Sequence, residues 1–125
     1  MTENEIAKII VDLCFKIHKV LGPGLLESVY EEVLVYELKK FGFAVLRQTG
    51  IPVIYENIKL DIGFKADLII ENLVILELKS VENLLPVHKK QLLTYLKLTN
   101  KKLGLLINFN ENLIKNGIIR IANGM

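Results

Sequence analysis

Asp67-Leu68-Ile69-Ile70-Glu71-Asn72-Leu73-Val74-Ile75-Leu76-Glu77-Leu78-Lys79 is the stretch whose reading settles the architecture. Residues 68–70 and 73–76 are apolar at every position, the mark of strands covered on both faces rather than on one. Charge returns only at one end, at Asp67, Glu77 and Lys79. Side chains alternate along a strand, so Glu77 and Lys79 share a face with Ile75 and Leu73, while Val74, Leu76 and Leu78 line the other. If Asp67 lies opposite Glu77, two carboxylates and an ammonium converge over an apolar floor, where charge is costly unless paired or bound to a metal. Register decides the matter. The carboxylates meet only if Ile70 pairs with Val74 across an odd-length turn, or a bulge corrects the pairing. A two-residue turn at Glu71-Asn72 would pair Asp67 with Leu76 and send the carboxylates to opposite faces. A surface hairpin with an ion-paired rim is the competing reading, and it leaves the doubly apolar flanks unexplained.

The rest of the chain supplies one domain's worth of material. Its 125 residues, 51% hydrophobic, form a single domain over residues 1–125 with a genuine core. A net charge of +2 permits a phosphate-bearing partner without requiring one. One cysteine excludes an internal disulfide, and with two histidines it cannot furnish the usual zinc sets, which leaves oxygen-ligated metal. The start, Met-Thr-Glu-Asn-Glu, has no basic leader, and no apolar run approaches the roughly 18 residues of a membrane span, so a soluble cytoplasmic protein is expected.

Helical spacing of Ile6, Ile9, Ile10, Leu13, Cys14, Ile17, Val20 and Leu21 predicts a helix over residues 3–21, with Thr2 and Glu5 as a capping box. Cys14 and His18 stand one turn apart, but Cys14 lies on the apolar stripe, where a free cysteine behaves as a small hydrophobe. Gly22-Pro23-Gly24 ends this helix. A second is expected over residues 25–41, burying Leu26, Val29, Tyr30, Val33, Leu34 and Leu38. Glu27 would favour its N-terminus against the dipole and project beside Tyr30.

From Phe43 the period becomes that of strands, expected at 44–48, 51–55 and 58–64 with turns at Thr49-Gly50 and Glu56-Asn57. Pro52 suits an edge strand. After the hairpin, Pro86 opens a third helix to about Thr99, with His88, Gln91 and Tyr95 as a polar stripe among leucines. Residues 103–109 then read as a strand parallel to the one ending at Lys79, reached by a right-handed crossover, and 118–122 as a final edge strand carrying Arg120.

Asp67 and Glu77-Leu78-Lys79 on adjacent strands, within helices, strands, a helix and a parallel strand, resemble the core of the PD-(D/E)XK nuclease superfamily. Gly24-Leu25-Leu26-Glu27-Ser28-Val29-Tyr30 is similar to the signature of its GxxExxY branch, and Gln91-Leu92-Leu93-Thr94-Tyr95-Leu96 to its QxxxY element. The fold implied is a restriction-endonuclease-like α/β (α+β) core, a central mixed sheet flanked by helices on both faces, in the order α-α-β-β-β-β-α-β. The resemblance implies that Asp67 and Glu77, with Leu78 counted in the same metal set, hold a divalent ion. Glu27 would support that ion from the helix, and Lys79 would sit beside the attacking water. Gln91, Tyr95 and Tyr30 would meet substrate.

Magnesium suits such a set, because it prefers hard oxygen ligands, takes one or two carboxylates and keeps waters; manganese would substitute. The expected function is therefore Mg2+-dependent hydrolysis of nucleic-acid phosphodiesters, with DNA favoured over RNA. A catalytically idle nucleic-acid-binding or protein-interaction module is the alternative. No membrane partner is expected, and a homodimer is compatible with so small a nuclease. Lys39, Lys40, Arg47, Lys65, Lys89, Lys90, Lys97, Lys101 and Lys102 could neutralise phosphates, although a solvated surface accounts for most of them.

Overall fold

In the hairpin, Ile70 pairs with Val74, Ile69 with Ile75 and Leu68 with Leu76, the register that sets Asp67 against Glu77. Three residues close it. Glu71 and Asn72 both adopt left-handed backbone, with φ of +53° and +56°. Such a conformation is unusual for glutamate, and Ala44 helps to hold it. The Glu71 N–H donates to the Ala44 carbonyl, and the Ala44 N–H donates back to Glu71 Oε2 at 2.8 Å.

The computed structural model describes residues 1–125, the side chain of Ile62 excepted. The elements are α1 (Glu3–Leu21), α2 (Glu27–Phe41), β1 (Val45–Tyr55), β2 (Ile58–Ile70), β3 (Val74–Lys79), α3 (Pro86–Thr99), β4 (Leu103–Asn108), a 3-10 turn (Ile114–Gly117) and β5 (Ile118–Ala122). Among the described residues the sheet runs β1-β2-β3-β4-β5, with β3 and β4 parallel and the other pairs antiparallel. α1 and α2 cover one face, packing Ile6, Ile10, Tyr30 and Leu34 with Leu76, Leu78, Leu105 and Ile107. α3 covers the other, where Leu92, Tyr95 and Leu96 pack with Ile69, Ile75 and Leu106. This is an α+β fold, a mixed sheet with helices on both faces. No helix among the described residues is long and apolar enough to cross a membrane.

Two expectations are corrected. Three strands, not four, separate α2 from α3, because residues 45–55 form one strand through Thr49-Gly50 and residues 58–70 another. What reads as a turn at Thr49-Gly50 is an irregularity within β1, where Gln48 has φ +47°. A second one falls at Pro52 on this edge strand, where the register shifts between Ile51 and Val53. There Gly63 is required, since a Cβ would lie 2.0 Å from the Ile51 carbonyl oxygen. The second correction concerns α2, which begins at Glu27 and buries Tyr30, Leu34, Val35 and Leu38. Leu26 and Val29 are exposed, Leu26 being the residue before the first turn rather than part of the helical face.

Tyr30 is a structural anchor rather than a substrate-facing residue. It is fully buried, and its ring stacks on Phe109 with centroids 4.5 Å apart. Its hydroxyl donates to the Gly22 carbonyl at 2.6 Å and accepts from the Leu25 N–H at 3.2 Å, fixing the loop between α1 and α2. Tyr30→Phe keeps the ring contact but removes the hydroxyl's two hydrogen bonds to part-buried backbone groups, so a loss of about 0.5–1.5 kcal/mol is expected. Thermal melting should show a fall of several degrees.

Gly104 leaves the space that the Leu92 side chain of α3 occupies. A Cβ there would come within 2.8 Å of Leu92 Cδ1.

Candidate active site

β2 and β3 part company at the charged end of the hairpin. Their pairing stops at Leu68 and Leu76, after which β2 continues beside β1 and β3 continues beside β4 as far as Lys79 and Asn108. Divergence would orphan a backbone donor of β3, and buried backbone groups must be paired. The Asp67 side chain supplies the partner: the Leu78 N–H donates to its Oδ2 at 2.8 Å. N–H and C=O of one strand residue point to the same edge. The Leu78 carbonyl therefore also faces this fork, although its side chain is buried on the α1–α2 face.

Glu77 lies in the fork on the α3 side. It is 7% exposed, and its Oε1 is buried without a hydrogen-bond partner. Burial pushes its carboxyl up to about 9, the Asp67 charge adds to the rise, and Lys79 opposes it. Tyr95 is also buried, and its hydroxyl is pushed up by burial, then by Glu77, then by Asp67. Its ring rests on Phe64, centroids 5.2 Å apart. Gln91, half-buried one turn earlier, shares that face of α3. Asp67, Glu77, Lys79 and Tyr95 thus lie close enough to act on one another's charge, with Gln91 on the helical face that Tyr95 shares.

Glu27 does not join them by any direct bond. It is exposed, and among the described residues it makes no hydrogen bond or ion pair with Asp67 or Glu77. Its loop is nevertheless tied to the site, because the Ser80 hydroxyl donates to the Leu25 carbonyl at 2.6 Å. The α2 carboxylate that connects to Asp67 is Glu31, one turn further on. Gln48 Nε2 donates to Glu31 Oε1 at 2.7 Å and reaches Asp67 Oδ1 at 3.5 Å. Arg47 is committed to Glu31 and Glu32, at 2.9 and 2.6 Å, and is not a free phosphate-binding cation.

Asn108 is a further participant that sequence reading passed over. Fully buried beside Lys79, it accepts from the Val81 N–H at 3.1 Å and donates to the Val81 carbonyl at 2.9 Å, clamping the loop that follows Lys79. The signal was available: a lone amide in an otherwise apolar strand must be satisfied by something. His88 caps its own helix, its Nδ1 accepting from the Leu85 N–H. Cys14 and His18 form no nucleophile pair. Cys14 is fully buried, and burial pushes its thiol up, while His18 Nε2 donates to the Glu111 carbonyl at 2.7 Å.

The donor set fits a hard divalent cation. An unpartnered buried carboxylate oxygen beside a second carboxylate and an edge-facing carbonyl is an incomplete oxygen shell. Among the described residues no three His, Cys, Asp or Glu cluster as a ligand set, so an ion here would rest on two carboxylates, a carbonyl and water. A family model described as the PD-(D/E)XK nuclease superfamily matches residues 4–121. No curated protein and no solved structure matches the chain.

Proposed function

Because the chain belongs to the PD-(D/E)XK nuclease superfamily, we propose that it is a Mg2+-dependent nuclease hydrolysing phosphodiesters of DNA, of the GxxExxY branch suggested by Gly24, Glu27 and Tyr30. One observation carries the reading: Glu77, buried and with Oε1 unpartnered, faces Asp67 beside the ammonium of Lys79. A purely structural hairpin gains nothing from burying a carboxyl beside a second carboxylate with one oxygen left without a hydrogen-bond partner.

Asp67, Glu77 and the Leu78 carbonyl would hold the cation. Bound there, it lowers the pKa of a coordinated water and neutralises phosphate charge. Lys79 shares the face of Glu77 and is half-exposed, so its ammonium can stabilise hydroxide and the charge that develops on phosphate oxygens. Tyr95, whose phenol is pushed toward the protonated form, can donate to a phosphate oxygen, and the Gln91 amide can do the same from one turn away. Asn108 fixes the backbone after Lys79, which limits where the ammonium can swing.

The test is a substrate panel of single- and double-stranded DNA and RNA, incubated with Mg2+ or Mn2+ and with chelator. Cleavage of DNA that depends on metal is expected. Binding of uncleaved DNA should weaken as salt rises, since phosphate contacts release counterions. A protein that binds metal and cuts nothing in the panel overturns the nuclease reading in favour of an idle binding module.

A further inference from the structure

Gln48 stands opposite Asp67 across β1 and β2, between the pairs Arg47–Leu68 and Thr49–Ala66. It is the one residue of β1 in left-handed backbone, at φ +47°, a region costly for residues other than glycine and, less so, asparagine. In a regular strand Arg47 and Gln48 would point to opposite faces. Here both reach the same carboxylate: Arg47 Nη2 and Gln48 Nε2 donate to Glu31 at 2.9 and 2.7 Å. The twist therefore turns the Gln48 amide toward α2 while keeping it 3.5 Å from Asp67 Oδ1, the outer limit of a hydrogen bond.

The other Asp67 oxygen is already fixed by the Leu78 N–H. Glu31 is itself anchored, with a side chain 14% exposed and ion-paired to Arg47 at 2.9 Å. An amide is the group such a place requires. It carries no charge, so it does not compete with a cation for Asp67, and its two N–H groups can address two carboxylates at once.

We propose that Gln48 is a positioning residue that sets the orientation of the Asp67 carboxylate for a divalent cation, held there by Glu31 and Arg47 at the expense of a left-handed backbone. This rests on the reading of Asp67 as a ligand. Groups that orient metal-binding carboxylates typically change affinity by 10- to 100-fold when removed. Strain maintained by a side-chain contact gives a second signature, because removing that side chain should relieve it.

Gln48→Gly separates the two, since glycine takes positive φ without penalty. The full chain is titrated with Mn2+ by calorimetry and melted without metal. Gln48→Gly is expected to melt no lower than wild type and to bind Mn2+ about 10- to 100-fold more weakly. Gln48→Asn also tolerates the left-handed backbone but is one methylene shorter, and it should show the same loss of affinity. Wild-type affinity in both Gln48 variants overturns the positioning role and leaves the nuclease reading intact. Absence of Mn2+ binding by wild type itself overturns both.

Discussion

Glu77→Gln is expected to raise the melting temperature of the metal-free protein at about pH 8 by roughly 5–10 °C, and to abolish the further rise that Mn2+ gives wild type. Burial first, and the Asp67 carboxylate second, push Glu77 from an ordinary 4.5 up to about 9. Between those values the folded chain keeps a proton that the unfolded chain has released. The contribution of this group is therefore complete below the unfolded value and is lost as pH rises through about 9, at up to about 1.4 kcal/mol per pH unit. Glutamine is neutral throughout, so the variant escapes a penalty on the order of a few kcal/mol near pH 8. Its advantage should shrink toward pH 5. A bound cation instead requires the carboxylate and expels the proton, so the Mn2+ affinity of wild type should rise with pH. At 100 times its dissociation constant the ion adds about 2.7 kcal/mol, several degrees for a domain of this size. Thermal melts of both proteins from about pH 5 to 9, with and without Mn2+, check all of this. Superimposable curves for the two proteins would mean that the carboxylate is a spectator.

Lys79→Ala should keep the Mn2+ response and lose cleavage by about 10²- to 10³-fold, the usual effect of deleting one donor to developing negative charge. An ammonium is no metal ligand, so the first outcome follows from chemistry alone. Lys79 does act on Glu77, however, by opposing the rise of its carboxyl. Its removal should therefore shift the onset of Mn2+ binding to higher pH, and the comparison of rates belongs at saturating Mn2+. Retained cleavage under those conditions would remove Lys79 from the reaction.

What the chain disclosed about itself follows the range of the interactions involved. Asp67, Glu77 and Lys79 were legible because a two-residue period governs a hairpin whose members lie close in sequence. The turn itself stays open in sequence between an odd-length turn, a bulge and a two-residue turn at Glu71-Asn72, and the pairing of Ile70 with Val74 decides it. β1 and β2 were not legible, since Thr49-Gly50 carries the composition of a turn. Only the pairing with residues 65 and 66 reveals it as strand. Glu31 and Gln48 escaped notice because their roles arise from contacts across elements, with Arg47 turning an exposed-looking glutamate into an anchored one. Tyr30 illustrates the converse. Its place in a family-like motif suggested substrate, whereas its hydroxyl is spent on Gly22 and Leu25.

The parallel pairing of β3 with β4 has a consequence in time. Each of its pairs, from Val74 with Leu103 to Lys79 with Asn108, joins residues 29 positions apart. The hairpin pair Ile70 with Val74 joins residues only 4 apart. Closing the longer loop costs about 2 kcal/mol more in chain entropy, so the hairpin is expected to form before the crossover. Until β4 arrives, β3 presents an unpaired apolar edge of the kind that recruits other chains. Asn108 arrives with that same strand. The loop behind Lys79 is thus clamped by the same strand that seals this edge, so completion of the candidate site and protection of the edge are tied to one event.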